Sequence, residues 1–168
     1  FSSSIRVGLF ALAGTYWNCA GGRTPWGWLS CEETVSPNHG YVFLVRPEHE
    51  GVQPAKPLRA LGRCRHEAAV THPQSLVTYL SEDIGDSAFY RLVPADRARP
   101  FEGRLQALAI EGAPRADTAR LSPGEVLQVR WIDVPGEDGP ADDLRLRARE
   151  AGAARIARGE GIILDGDT

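Results

Sequence analysis

The feature that most restricts the fold of this chain is an internal repeat. Laying "NCAGGRTPWGWLSCEE" over "HEAAVTHPQSLVTYLSED" places Asn18-Cys19-Ala20 on His66-Glu67-Ala68 and Glu32-Glu33 on Glu82-Asp83. "HGYVFLVRP" likewise falls on "SAFYRLVP", and "PLRALG" on "GRLQALAI". All these matches share a shift of about 48 residues, a spacing typical of repeated β units. Within the units, Trp28 to Cys31, Tyr41 to Val45, Val77 to Leu80 and Phe89 to Val93 are short runs of β-branched and aromatic residues. Gly, Pro, Asn and Asp bound them, which predicts strands. Each unit reads as four short strands, the periodicity of a propeller blade and not of a helix-pair solenoid; a β-sandwich is the alternative.

A third start appears at "RGEGIIL" from Arg158, which repeats "RHEAAV" from Arg65 and puts Glu160 in the place of Glu67. Glu125 to Asp133 reads as one more strand, and "ADDLRLRAREAGA" as a helix with acidic residues in its first turn and Gly152 near its end. The expected architecture is an all-β chain, part of one β-propeller with an incomplete set of blades. Blade one covers about 15–62, blade two about 63–135 with an insertion, an inserted helix about 141–153, and the start of a further blade 156–168.

Composition excludes some roles. A net charge of -3 from mixed signs supplies no basic stripe for nucleic acid and no polybasic membrane patch, and no apolar run is long enough to span a bilayer. The Cys count of 3, with no CxxC spacing, indicates neither a disulfide framework nor a zinc ribbon, although one disulfide pair stays open. The chain opens with Phe1 and contains Met 0, as expected of a cut end, so a missing leader carries no information about compartment.

The repeat also makes a chemical statement. Inner strands of a propeller line one channel, so Cys19, Glu67 and Glu160 aim a thiol and two carboxylates at one place. Such groups repel when ionised; either some take up a proton or a cation binds, and a metal is the simpler resolution. Mixed thiolate and carboxylate ligation suits a redox-capable first-row metal, while carboxylates and carbonyls suit calcium. Only one of Glu32 and Glu33 can face a given pocket from a strand, and the pattern does not choose between them. Arg65 and Arg158 precede the inner glutamates, where each could neutralise the cluster, form a salt bridge or grip an anionic substrate. Asn18 is either a donor to a ligand oxygen or a turn residue, and His39 and His72 sit by turns as structural groups. Taken singly, a lone Cys is more often a small buried hydrophobe and acidic pairs are solvated turn residues. The shared register favours a site. G-x-S-x-G, Walker-type and H-E-x-x-H signatures are missing.

The blocks "LAGTYWNCAGGRTPWGWLSCEE", "HGYVFLVRP", "GRCRHEAAV", "YLSEDIGDSAFYRLVP" and "ADDLRLRAREAGAARIARGEGI" resemble, in order, those of the bacterial PhoX-type alkaline phosphatases. The resemblance implies a β-propeller, a phosphomonoesterase acting on phosphate monoesters, and iron and calcium at its centre with a cysteine thiolate bridging two irons. It implies a periplasmic or secreted protein exported by the twin-arginine route. By position it makes Cys19 the bridging thiolate, Glu33 and Glu67 metal carboxylates, and Asn18 and Arg65 phosphate contacts; Glu160 is added from the repeat register alone. The chain departs from the family pattern in the spacing of "WGWL", in Trp17 where a basic residue is usual, and in Cys64 where an aromatic is usual. It also lacks further blades, so a partial chain is expected, monomeric when complete. The competing expectation is a non-catalytic, calcium-stabilised propeller that binds a partner through its loops.

Overall fold

Strand order follows the chain in both copies of the repeat. In this computed structural model, which describes residues 10–166, a two-residue strand β1 (Leu12–Ala13) leads into β2 (Asn18–Thr24), β3 (Gly27–Glu32) and β4 (Val42–Val45). These last three form an antiparallel sheet in the order β2-β3-β4. Strand β5 (Gln53–Pro54) returns to pair in parallel with β1. The second sheet is an antiparallel meander of β6 (His66–Thr71), β7 (Thr78–Glu82), β8 (Tyr90–Asp96), β9 (Arg99–Ile110) and β10 (Val129–Asp133). One helix, α1 (Leu144–Glu150), follows. The chain is thus mostly β with one short helix, and its sheets are open.

Turn chemistry sets the hairpins. Thr24 Oγ1 accepts from the Trp26 amide (3.0 Å) and donates to the Gly27 carbonyl (3.1 Å), closing β2–β3. Asp96 Oδ1 accepts from the Ala98 amide (2.9 Å), closing β8–β9. Both are side-chain-to-backbone bonds of the kind that favour Thr and Asp in turns. Between the sheets Leu29, Val42, Leu80, Tyr90, Leu92, Leu105 and Ala107 form a buried core, covered by Leu61, Leu144 and Ala148. The alternate residues Tyr79, Phe89 and Trp131 make an aromatic cluster on the other face of the second sheet, with Arg91 4.3 Å above the Trp131 ring. This is the two-residue period of a strand expressed on both faces.

Three expectations change. The first unit has three strands, not four: in "PLRALG", Arg59–Leu61 form a 3-10 turn, while its counterpart "GRLQALAI" lies in the 12-residue β9. Pro57 bears on this, since it carries no N–H for a fourth ladder, and only an isolated bridge joins it to Phe43. The helix occupies Leu144–Glu150, shorter than 141–153, with no acidic residue in its first turn; Asp143 at its start makes no capping bond, its Oδ1 being engaged by Arg147 Nη2 (2.9 Å), and Gly152 at φ +110° stands just past its end. The described part of the third start forms no strand. Instead it runs back over the β7–β8 loop, with Ile156 N donating to Ser87 O (2.9 Å), Arg158 N to Ile84 O (3.0 Å) and Gly159 N to Glu82 O (3.2 Å). Residues 167–168 of that start lie outside the described residues.

Candidate metal centre

The two sheets carry the same irregularity at the same repeat position. Asn18 pairs with Glu32 and Gly21 with Ser30, leaving Cys19 and Ala20 opposite Cys31 alone. His66 pairs with Glu82 and Ala69 with Leu80, leaving Glu67 and Ala68 opposite Ser81 alone. Each is a β-bulge, which bends its strand and re-aims the side chain of the extra residue. The residues so re-aimed are Cys19 and Glu67, two of the three that the repeat register aligns.

Strands β2 and β6 lie side by side, which brings the two bulges together. Their closeness depends on Gly22, where an added Cβ would stand 2.0 Å from the Ala69 carbonyl oxygen. Glu33, just past β3, completes a group in which the Cys19 sulfur and one oxygen each of Glu33 and Glu67 all lie within 4.8 Å of one another. Cys19 is exposed and Glu33 half-buried, whereas Glu67 is 8% exposed.

The electrostatics follow from crowding acids. The Cys19 thiol is pushed up to about 11, first by its hydrogen bond to Glu67, then by loss of solvent and by the charge of Glu67. Glu33 is held above the usual carboxylate range by burial, then by the charge of Asp83. With no cation the Cys19 thiol keeps its proton near neutral pH. Asp83, the repeat equivalent of Glu33, is therefore part of the same acidic neighbourhood, a member that the choice of single ligands from the sequence passed over although the register pointed to it. It is 9% exposed, and its Oδ1 has no hydrogen-bond partner among the described residues. Arg158 Nε stands 3.0 Å from that oxygen, a contact of charge without hydrogen-bond alignment.

Beneath the cluster, the preceding acids of each pair are anchors. Glu32 is fully buried and accepts from the amides of Tyr16 (2.8 Å), Gly40 (2.7 Å) and Tyr41 (3.2 Å) and pairs with His39 Nδ1 (2.8 Å). Its orientation is thereby used up in holding loops, and Glu33 is the acid free to face the site. His39 is a structural group, as read from the sequence. Glu82, also fully buried, accepts from Tyr90 Oη (2.9 Å). Burial drives it up to about 7 against the opposing pull of Tyr90 and Arg145.

The other expected site residues are dispersed. Asn18 is exposed and its Nδ2 donates to Ser30 Oγ (2.7 Å). Arg65 is half-buried and donates from Nη2 to Asp142 Oδ2 (3.1 Å). Glu160 is exposed and stands outside the Cys19–Glu33–Glu67 group; its carbonyl, not its carboxylate, reaches the bulge by accepting from Ser81 Oγ (2.6 Å). All three cysteines are free. Burial raises the thiols of Cys31 and Cys64, so neither offers a thiolate near neutral pH.

One sulfur and two carboxylates at this separation fit a bound cation, and Asp83, ion-paired with Arg158, adds a further carboxylate beside them. The sequence profile of the alkaline phosphatase PhoX family matches residues 3–168. The chain belongs to that family. No curated protein matches the PhoX-family chain significantly. Among solved structures it is similar to Pseudomonas fluorescens PhoX in complex with vanadate, a transition state analogue, with a TM-score of 0.61 and 21% sequence identity. That alignment covers 88% of this chain and 37% of the Pseudomonas protein, so the present PhoX-family chain spans little over a third of its neighbour's length. At this identity the likeness speaks for the fold.

Proposed function

We propose that this chain is part of a metal-dependent phosphomonoesterase of the PhoX family, with Cys19, Glu33 and Glu67 as metal ligands. The observation that carries the reading is the convergence of one sulfur and two carboxylate oxygens within 4.8 Å, produced by two matching bulges on adjacent strands. Their strands would be the inner strands of two neighbouring blades, about 15–62 and 63–135, with α1 as an insertion and the segment from 156 beginning a further blade. Iron and calcium together suit the mixed donors better than calcium alone, since a thiolate is a poor partner for a hard cation. Bound, such ions would polarise a phosphate ester and make a bound water acidic. The chain's own residues would do the rest. Loss of the Cys19 proton on binding supplies the thiolate, and Glu33 and Glu67 compensate the metal charge. Asn18 and Arg65 are proposed as phosphate donors, offsetting charge that develops on its oxygens. Arg158 stands as a second candidate because it is paired with Asp83, the acid next to Glu33. Glu160 would join the ligands only if its side chain turned inward from its present exposed position. We extend the reading, on family resemblance, to a working protein that acts in the periplasm or outside the cell after twin-arginine export, as a monomer. Among the described residues no helix is long and apolar enough to cross a membrane.

The test is Cys19→Ser in the complete protein. It should abolish bound iron and phosphomonoesterase activity while leaving the circular dichroism of the sheets unchanged. A serine variant that keeps both its metal and its activity sinks the reading. A protein that binds calcium alone and hydrolyses no phosphate ester would instead fit a non-catalytic propeller module.

A further inference from the structure

We propose that Ser81 is a positioning residue for the metal centre, holding the Glu67 bulge and the 158–160 segment in one arrangement. The inference rests on the metal reading above and adds a residue that carries no ligand atom. Ser81 is the one residue of β7 that faces two residues of β6, Glu67 and Ala68. A bulge takes an amide out of the ladder, and a buried amide needs another acceptor. Ala68, 1% exposed, donates its N–H to Ser81 Oγ at 3.1 Å. The same hydroxyl donates its only proton to the Glu160 carbonyl at 2.6 Å. Ser81 is itself 3% exposed, so both halves of the hydroxyl's donor and acceptor capacity are used away from water.

The second contact matters because of what the 158–160 segment brings. It carries Arg158, whose guanidinium stands 3.0 Å from Asp83, and it lies so close to β7 that a Cβ on Gly159 would be 3.2 Å from the Ser81 Cβ and 3.1 Å from the Glu82 carbonyl oxygen. One hydroxyl therefore satisfies the amide that the Glu67 bulge frees and seats the only segment that delivers a cation to Asp83 among the described residues. The repeat separates this role from a general need of the bulge. In the first sheet the equivalent position is Cys31, a fully buried thiol and not a hydroxyl. The hydroxyl stands only at the bulge that the 158–160 segment touches.

The experiment uses the complete, metal-loaded protein and two variants, Ser81→Cys, which copies the first sheet and keeps the volume, and Ser81→Ala. Bound metal is measured by elemental analysis after a graded chelator challenge, and the thermal midpoint is measured on the metal-stripped protein. Loss of a partner that orients a ligand weakens metal affinity by about 10–100-fold, and that loss is expected in both variants, with the stripped Ser81→Cys midpoint lowered by only the few degrees that one lost hydrogen bond costs. Should Ser81→Ala fail to fold, Ser81→Cys alone decides. Metal retention by Ser81→Cys within about twofold of the parent overturns the proposal, against the larger loss expected of an orienting partner. So does a drop in its stripped midpoint well beyond those few degrees, which would make Ser81 a general packing residue. Cys19→Ser is run beside them: if it too keeps its metal, the metal reading has failed, whereas loss of metal in Cys19→Ser alone refutes the role of Ser81 only.

Discussion

Replacing Gly22 by alanine tests whether the closeness of β2 and β6 is what makes the site. An alanine Cβ there would lie 2.0 Å from the Ala69 carbonyl oxygen, and real Cβ contacts essentially never fall under 3.0 Å. The obstructing atom is backbone, so no side-chain rotation relieves it, and the strands must part by about 1 Å or more. Overpacking of this kind costs about 1–3 kcal/mol. The same displacement separates the bulge carrying Cys19 from the one carrying Glu67, and a 1 Å misplacement of reacting groups costs about 100-fold in rate. Gly22→Ala should therefore lower stability in a denaturant titration and reduce metal content and phosphomonoesterase activity together. Gly85→Ala is the control. Its added Cβ meets nothing within 4 Å and its φ is not in the left-handed region, so stability should change by no more than about 0.5 kcal/mol. A Gly22→Ala protein with parental stability and full metal would refute the argument that strand contact sets the site's geometry.

Two further outcomes follow from charges placed off the ligand group. Glu82 binds its proton more tightly folded, with a value of about 7 against an ordinary 4.5, so stability should be fully present below about pH 4.5 and fall as pH rises toward 7, by on the order of 3 kcal/mol. Glu82→Gln keeps an acceptor for Tyr90 and should flatten that slope in a pH series of unfolding curves; parallel curves for the two proteins would contradict it. Arg65→Ala in the complete protein should cut kcat/KM by tens- to several-hundredfold, about 2–4 kcal/mol, with metal content intact. If Arg158→Ala shows that loss and Arg65→Ala does not, the salt bridge to Asp142 is the whole role of Arg65.

Much of the site was legible because a repeat preserves register. The equivalence of Cys19 with Glu67 needed only two aligned segments, and the matching bulges give it a backbone cause. The preference for Glu33 over Glu32 came from family resemblance. In the structure Glu32 spends its oxygens on the amides of Tyr16, Gly40 and Tyr41. The missing fourth strand of the first unit was also readable in principle from Pro57, but the repeat match outweighed it.

What the sequence by itself determined is local and periodic: strands of alternating pattern, turns closed by Thr24 and Asp96, and a register that puts a thiol and a carboxylate at like positions. Tertiary structure decided which of these groups meet. Glu160 obeys the register yet stands outside the group, because its segment is seated on β7 through its backbone and Gly159. Arg65 is drawn to Asp142, a partner 77 residues away that no spacing rule announces. Ser81 looks like any strand serine until the bulge gives it an orphan amide on one side and a carbonyl on the other. The physical reason is that register is written in the backbone period of a single strand, whereas the partner of a charge or hydroxyl depends on which distant loops pack over that strand, and packing is a property of the whole fold.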